Sequence, residues 1–504
     1  MPTVLSPLRR AVRVAGSAEA VACGDVRLSY DETWERCRRL VGGLRALGLR
    51  PGDRVGIVGP NCHRYLEIYQ AVPGAGFVLV PVNARHTAAE LRYALTDAGV
   101  RLLFTSLPAA DLGVESVVDL GDGYERLLAG AEPVEPPDDL DEDDLAGLFY
   151  TGGTTGAAKG VMLTHRNLVA NAMHIQAFWP FRPATRWLAA APMFHAAGSF
   201  AVLATVWHGG AHVVLPAFHP ADVLDLVARE RVTDTLVVPT MLAALADEQL
   251  ARPRDVSTWT RIGHGGAPCA TETARRAHAA FPQAELIHLY GATETAPIAT
   301  ALLHEEAYLD APQAGSCGQA VVGVDVAVRA PTGAAAAEGE IGEVLVRGPN
   351  VMAGYWNKAA ETAAALDGGW YRTGDLGYQD DGGFLYLVDR AKDMIVTGGE
   401  NVYSTEVEEV LYRHPAVLEA AVFGVPDPVW GEAVHAVVVP RSAVTAEELL
   451  AHCRASLAGY KLPKAVDLRG QPLPKSGAGK LLKRELREPF WAGSADRADR
   501  VGGG

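Results

Sequence analysis

The chain has 504 residues, 49% of them hydrophobic, which is too long for one ordinary core, so two or more domains are expected. Its formal net charge of −15 excludes a general nucleic-acid binder, whose footprint is basic. The six cysteines (23, 37, 62, 269, 317 and 453) form no C-x-x-C pair, which fits neither a disulfide frame nor a zinc site and suits a reducing, cytoplasmic compartment. Residues 1–22 carry Arg9, Arg10, Arg13 and Glu19, so the apolar run of a signal peptide is broken. No stretch approaches the roughly 20 apolar residues of a spanning helix.

Up to about residue 130 the pattern alternates. Arg54–Val58 reads as a strand, 65–72 as a helix and 77–82 (FVLVPV) as a second strand. A helix over 88–98, with Leu91, Tyr93 and Leu95 on its apolar face, precedes a strand over 101–105. Repetition of this kind implies parallel strands covered by helices. The run 131–144 (AEPVEPPDDLDEDD) is a proline-rich acidic link, read as a solvated loop in preference to a metal site.

The stretch 145–165 (LAGLFYTGGTTGAAKGVMLTH) is the most informative. Residues 145–150 read as a buried strand, and apolar residues at helical spacing follow His165. Between them, ten positions hold four glycines, three threonines and one lysine: Thr151, Gly152, Gly153, Thr154, Thr155, Gly156, Lys159 and Gly160 around two alanines. Strand, glycine loop and helix together can wrap a phosphate chain in backbone N–H groups, hydroxyls and one charge. This is not a Walker A loop, because Gly160 follows Lys159 where Ser or Thr is needed, and Leu481 follows the later Gly479-Lys480 pair. Nor does it give the G-x-G-x-x-G of a dinucleotide fingerprint.

Alternation resumes after residue 185, with helices over 221–230 and 241–248 and strands over 235–238 and 284–289. The last strand runs into Tyr290-Gly291-Ala292-Thr293-Glu294. Polar groups at the carboxyl ends of parallel strands meet at the crevice where such sheets bind ligands. Glu294 is thus a candidate metal carboxylate and Thr293 a phosphate donor; an N-cap threonine with a first-turn glutamate is the other reading. Gly263-His264-Gly265-Gly266-Ala267-Pro268 either lets a flat ring lie on the backbone or forms a tight turn. His195, inside PMFHAAG, is either a satisfied core residue or a working group.

From about residue 339 the chain turns β-rich. Asp375, closing WYRTGD, could accept from ribose hydroxyls or cap a turn. The charged run Asp389-Arg390-Ala391-Lys392-Asp393 has the character of a domain junction. A small α+β unit follows, with helices over 405–412 and 446–458 and strands over 418–423 and 433–439. It ends in a glycine loop, 474–480, carrying Lys480. Between Lys461 and Arg487 eight Lys and Arg stand against Asp467 and Glu485, a local reversal that suits an anionic partner such as a polyphosphate; a solvated, ion-paired face is the alternative. Residues 492–504 are expected to be a disordered tail.

With these motifs in this order, the chain resembles the adenylate-forming (AMP-binding) superfamily: acyl-CoA synthetases, peptide-synthetase adenylation domains and luciferases. The likeness covers about residues 20–490. The stretches GGENVYSTEVEEVL (398–411) and YKLPK (460–464) resemble the acyl-CoA synthetase, fatty-acid–CoA ligase branch. The resemblance implies a large α/β N-terminal domain (1–391), with helix-covered parallel sheets and a β-rich subdomain. It also implies a small mobile α+β C-terminal domain (392–490), with 491–504 as the tail.

The resemblance also implies roles. Thr151, Gly152, Gly153, Thr154, Thr155, Gly156 and Lys159 would hold the β- and γ-phosphates of ATP. Gly265, Gly266, Ala267 and Pro268, with Tyr290, would flank adenine; Gly291 and Ala292 complete that wall. Thr293 would touch the α-phosphate and Glu294 would hold Mg²⁺. Asp375 and Arg390 would bind the ribose, and Lys392 would be the hinge. Lys480 would bond the carboxylate and α-phosphate during adenylation. Gly398, Gly399 and Lys461 would meet CoA, and His195, Tyr290, Gly291 and Ala292 would border the acyl pocket. Lys480, Glu294, Thr154 and His195 would carry the chemistry.

Two positions depart from the family pattern, Gly152 for its usual Ser and Ala158 for its usual Pro. The implied reaction joins a carboxylic acid to the CoA thiol through an acyl-adenylate, in a chain that is a monomer or homodimer. Loading of an acyl carrier protein, or a single half-reaction, is the related alternative. A kinase-type enzyme would give ADP, and a non-catalytic nucleotide binder would turn nothing over. Small residues (Ala196, Ala197, Gly198, Gly265, Ala292) leave room for a bulky acid of medium, long or polycyclic type.

Overall fold

A computed structural model of the chain describes residues 2–109, 112–151, 158–199, 201–476 and 479–491. Three sheets and their helices make the large N-terminal domain. One sheet runs in the order Gly354–Tyr355, Lys159–Thr164, Leu145–Thr151, Val78–Pro81, Arg54–Val58, Val100–Thr105 and Ser116–Asp119. A second has Arg261–Gly265 in its interior, flanked by Glu285–Tyr290 and Asp234–Val237, and one edge of it is formed by Glu19–Cys23 and Val26–Ser29. The third is the antiparallel β-rich unit of Asp325–Arg329, Gly342–Arg347, Trp370–Gln379 and Leu385–Arg390 with the short Leu366–Asp367.

The first two sheets share one core, filled by the helices Tyr30–Ala46 and His63–Gly74. His63–Gly74 is buried on almost every residue because it lies between two sheets, and its buried Glu67 is paired with Arg36 and Tyr124. Tyr30–Ala46 starts in a reciprocal capping box of Ser29 and Glu32, and Thr87 with Glu90 caps Ala88–Asp97 in the same way. Neither Tyr30–Ala46 nor the helix Ser6–Ala15 is anticipated by the strand-and-helix reading of the sequence.

Two expectations are corrected. The sheets are mixed: the interior strands are parallel, but Leu145–Thr151 pairs antiparallel with Lys159–Thr164, and Glu285–Tyr290 antiparallel with Thr300–Leu302. The glycine-rich loop therefore leads into a strand before the helix His165–Gln176, and Lys159 is the first residue of that strand. Its sequence KGVMLT is short, with one three-residue apolar run and β-branched Val161 and Thr164, which favours extension over helix. The loop residues Gly152, Gly153, Thr154, Thr155 and Gly156 lie outside the described residues, as does the tail 492–504.

From Ile395 the chain builds a separate core around the hairpin Val417–Asp427 and Gly431–Pro440, covered by Ser404–Tyr412 and Ala446–Arg454. This is the small C-terminal α+β domain. Ala446–Arg454 stops four residues short of the expected end.

Candidate active site

The cleft forms where the carboxyl ends of Arg261–Gly265 and Glu285–Tyr290 face the small domain. These strands are parallel, with Gly265 opposite Leu289. A Cβ on Gly265 would lie 2.1 Å from the Leu289 carbonyl oxygen, and one on Gly291 would lie 1.9 Å from that of Pro297. Only glycine permits the two chains to approach so closely, and the backbone of Gly266–Pro268 is left bare on the cleft wall.

Tyr290, at the end of its strand, donates its hydroxyl to Asp375 Oδ2 at 2.8 Å. Burial first, and then the Asp375 charge, push the phenol well above its ordinary value, so it stays a neutral donor. Asp375 and Arg390 are cross-strand neighbours on Trp370–Gln379 and Leu385–Arg390, with Arg390 Nε 3.1 Å from Asp375 Oδ1. Burial pulls the guanidinium down, but Asp375, Asp393 and the nearby tyrosines together outweigh it and the net shift is upward.

Glu294 sits in a one-turn 3-10 segment, Thr293–Thr295, and is 9% exposed. Asn350 clamps this segment by donating to Thr295 O and Ile298 O, both at 2.7 Å, and Met352 N donates to Glu294 O at 2.8 Å. The Tyr355 hydroxyl donates to Glu294 Oε1 at 2.9 Å, and Lys159 Nζ lies 4.8 Å from the centre of the Tyr355 ring. Tyr355 thus ties the far end of the glycine loop to the carboxylate. Thr151 and Lys159, the loop's two ends, are paired across the strands and both line the cleft.

Among the described residues no group of three or more His, Cys, Asp or Glu is placed to hold a metal. A single buried carboxylate is nonetheless what Mg²⁺ needs when phosphate oxygens and water fill its remaining positions. The donor set fits.

Lys480 arrives from the small domain. Its Cε lies 3.6 Å, and its Nζ 4.0 Å, from the point a Gly266 Cβ would occupy. Ser476 N donates to Lys480 O at 2.7 Å, Lys480 N to Ser476 Oγ at 3.2 Å, and Thr240 Oγ1 to Gly479 O at 3.2 Å. Burial and then the Arg390 charge pull the ammonium below the ordinary lysine value, while Asp375 and Glu294 act in the opposite direction. His195, on the same wall, is brought down to about 3 by burial and by the Lys480 charge, so it is neutral at pH 7. Ala292 and Thr293 also face the cleft.

Other expected residues stand apart. Gly398 and Gly399 form the left-handed turn between Ile395–Thr397 and Glu400–Val402, with φ of 60° and 86°. There Gly398 packs on Trp430, whose ring a Cβ would approach to 2.7 Å, away from the cleft lining. Lys461 reaches the cleft edge, but its Nζ is held by Glu406 at 2.7 and 2.8 Å. The basic run is not an open anion surface, because Lys475 pairs with Glu419 and Lys483 with Glu408 as well. Lys392 lies 3.7 Å from Asp393 at the junction. Asn350 and Tyr355 escaped sequence reasoning, because both act through bonds to residues more than fifty positions away.

The sequence signature of the AMP-binding enzyme family matches residues 8–356, and that of the AMP-binding enzyme C-terminal domain matches residues 406–480. A feruloyl-CoA synthase of Amycolatopsis sp. is 43% identical over 495 residues, covering 96% of this chain and 98% of its own. The long-chain-fatty-acid–CoA ligase FadD13 of Mycobacterium tuberculosis is 35% identical, covering 93% and 94%. Among solved structures, the Bacillus subtilis O-succinylbenzoate coenzyme A synthetase in complex with ATP and magnesium superposes with a TM-score of 0.85. It is 31% identical, with 95% of this chain and 98% of that one covered. The fold, the two-domain cleft and these matches together place the chain in the AMP-binding enzyme family, within its acyl-CoA synthetase branch.

Proposed function

We propose that this cleft seats ATP with its ribose at Asp375 and Arg390 and its adenine between Gly265–Pro268 and Tyr290. In this reading Lys480 meets the reacting carboxylate, and the acid is a compact aromatic one of the hydroxycinnamate class. The chain is an AMP-forming acid–thiol ligase: it activates a carboxylic acid with ATP, releases pyrophosphate, and passes the acyl group to the CoA thiol with release of AMP. ATP, Mg²⁺ and CoA are its co-substrates and metal.

A carboxylate is a poor acyl donor because its leaving group would be oxide. Attack of its oxygen on the α-phosphorus forms the C(O)O–P bond and breaks the bond to pyrophosphate, which turns that oxygen into part of a stable leaving group. The carboxylate is already a nucleophile, so no general base is required. What the site must provide is positive charge and donors around an anionic phosphorus. Lys480 would place its ammonium at the α-phosphate and carboxylate, and Thr293 would donate there. Thr151 and Lys159 would bound the terminal phosphates, with Thr154 between them. Mg²⁺, which Glu294 would hold with Tyr355 fixing that carboxylate, neutralises triphosphate charge when bound. His195, being neutral, would border the acyl group without adding charge. For the second step the CoA thiol attacks the acyl carbon, its proton leaves to solvent, and AMP departs. Gly398, Gly399 and Lys461 would serve that step after the small domain pivots at Lys392.

The observation that carries this reading is the convergence of Glu294, Asp375, Arg390 and Lys480, from both domains, on one wall of small residues. One chain supplies every group, so a monomer suffices. Among the described residues no helix is long and apolar enough to cross a membrane, and the six cysteines are free; a reducing cytoplasmic location is inferred.

The class of acid rests on the 43% identity to a feruloyl-CoA synthase, which covers 96% of this chain. The cleft wall at Gly266, Ala267, Gly291 and Ala292 carries no large side chain, which leaves room for an aromatic ring. A hydroxycinnamate replaces the medium, long or polycyclic acid expected from the sequence. In a panel of ferulate, benzoate and palmitate, pyrophosphate release should be fastest with ferulate, by roughly tenfold or more over palmitate. Palmitate turning over as fast as ferulate would overturn the acid assignment. An acyl carrier protein offered beside CoA in the same assay tests the other acceptor.

A further inference from the structure

The first half-reaction needs the small domain to hold Lys480 in the cleft, and the second needs it to leave. Bonds between the domains decide how firmly it is held. Arg441 reaches Asp247 at 2.8 Å, but both side chains are about 30% exposed and an ion pair of that kind is weak in salt. A buried joint lies elsewhere, at the end of the large domain's strand Leu385–Arg390. Asp389 is 7% exposed there, and its Oδ2 accepts from the Ser404 backbone N–H at 2.7 Å. Ser404 is fully buried and is the first residue of the nine-residue helix Ser404–Tyr412. Beside it the Thr405 hydroxyl donates to Val388 O. The Ser404 hydroxyl in turn accepts from Lys483 Nζ at 2.7 Å, and Lys483 Nζ is also 2.7 Å from Glu408 Oε1.

We propose that Asp389 is a positioning residue that docks the small domain for adenylation, by seating its carboxylate on the first turn of Ser404–Tyr412 beside Lys483. The proposal rests on the reading of Lys480 as the adenylation lysine. Three features fit a joint built to open. A carboxylate suits the positive end of a helix and satisfies an N–H that the helix itself leaves unpaired. Lys483 keeps its partner Glu408 when Asp389 departs, so undocking leaves no lone buried charge in the small domain. Lys483 also begins the helix Lys483–Trp491 and lies three residues beyond Lys480, while Leu482 N is bonded to Pro474 O at 2.9 Å. Seating Lys483 therefore sets where the Lys480 loop sits.

The test uses the full chain in two assays. Energy transfer between dyes placed on the exposed faces of Pro220–Glu230 and Ala446–Arg454, with ATP and Mg²⁺ alone, reads docking without any acid. Pyrophosphate release with ferulate, beside thioester formation from supplied feruloyl-adenylate and CoA, reads the two half-reactions. Asp389→Ala should lower the docked fraction and slow pyrophosphate release roughly tenfold, while the thioester step is kept or speeds up. Asp389→Asn keeps an oxygen for the Ser404 amide and should fall between. If Asp389→Ala does not fold, Thr405→Val removes the neighbouring bond from the other side and should move the same readouts. An unchanged docked fraction, or equal losses in both half-reactions, overturns the proposal. Should ferulate not turn over at all, the acid assignment fails, and the docking readout still decides the role of Asp389.

Discussion

Lys480→Ala is expected to lose adenylation by roughly a hundredfold or more, because removing one group that stabilises transition-state charge costs about 3–4 kcal/mol. Lys480 is half-buried at the cleft wall next to Gly266, where the surrounding protein strengthens its field relative to water. Its neighbours Asp375 and Glu294 keep it attracted to the site, so the charge is in place before the phosphorus develops its own. Alanine leaves the loop's backbone bonds to Ser476 and Thr240 untouched, so folding should be spared. The loss should fall on pyrophosphate release, with thioester formation from supplied acyl-adenylate close to wild type. Near-wild-type pyrophosphate release by the variant would refute the role given to Lys480.

The second large effect concerns the junction. Gly398 packs on Trp430, and neither it nor Gly399 lines the cleft that Lys480 occupies, so the glycine turn and Lys480 cannot serve the same site in one arrangement of the domains. The chain between them is the turn around Lys392, where Ala391 N bonds Gly374 O at 3.2 Å and Asp393 N bonds Arg390 O at 2.9 Å. Proline at position 392 would fix the φ angle that must change when the small domain swings. Lys392→Pro should therefore keep pyrophosphate release within about twofold, while thioester formation falls roughly tenfold or more. Equal losses in the two half-reactions would argue against a pivot there. Asp389→Ala acts in the opposite sense, loosening the arrangement that Lys392→Pro would freeze.

What the sequence made legible was local. Tyr290 to Glu294 stood out because a buried strand ended in polar residues, and Lys480 because a lysine closed a glycine loop. The strand Lys159–Thr164 was hidden because the three apolar residues Val161 to Leu163, directly before a helix, carry too little periodicity to separate the two. Tyr355 was hidden for another reason: its bond to Glu294 spans 61 residues of sequence, and nothing local marks it. Charge counting misled between Lys461 and Arg487, since Glu406, Glu408 and Glu419 lie outside that window yet pair with its lysines. The docking of Asp389 on Ser404 crosses the domain junction and appears only when the two domains are seen together.

The account turns on which bond of ATP is broken and by what. Ferulate labelled with ¹⁸O in its carboxylate, turned over with ATP, Mg²⁺ and CoA, gives the most direct answer. One ¹⁸O in the phosphate of the released AMP, with unlabelled pyrophosphate, is the result predicted here. Label appearing in phosphate alongside ADP, or in pyrophosphate alongside unlabelled AMP, would place the attack on an outer phosphorus and contradict it.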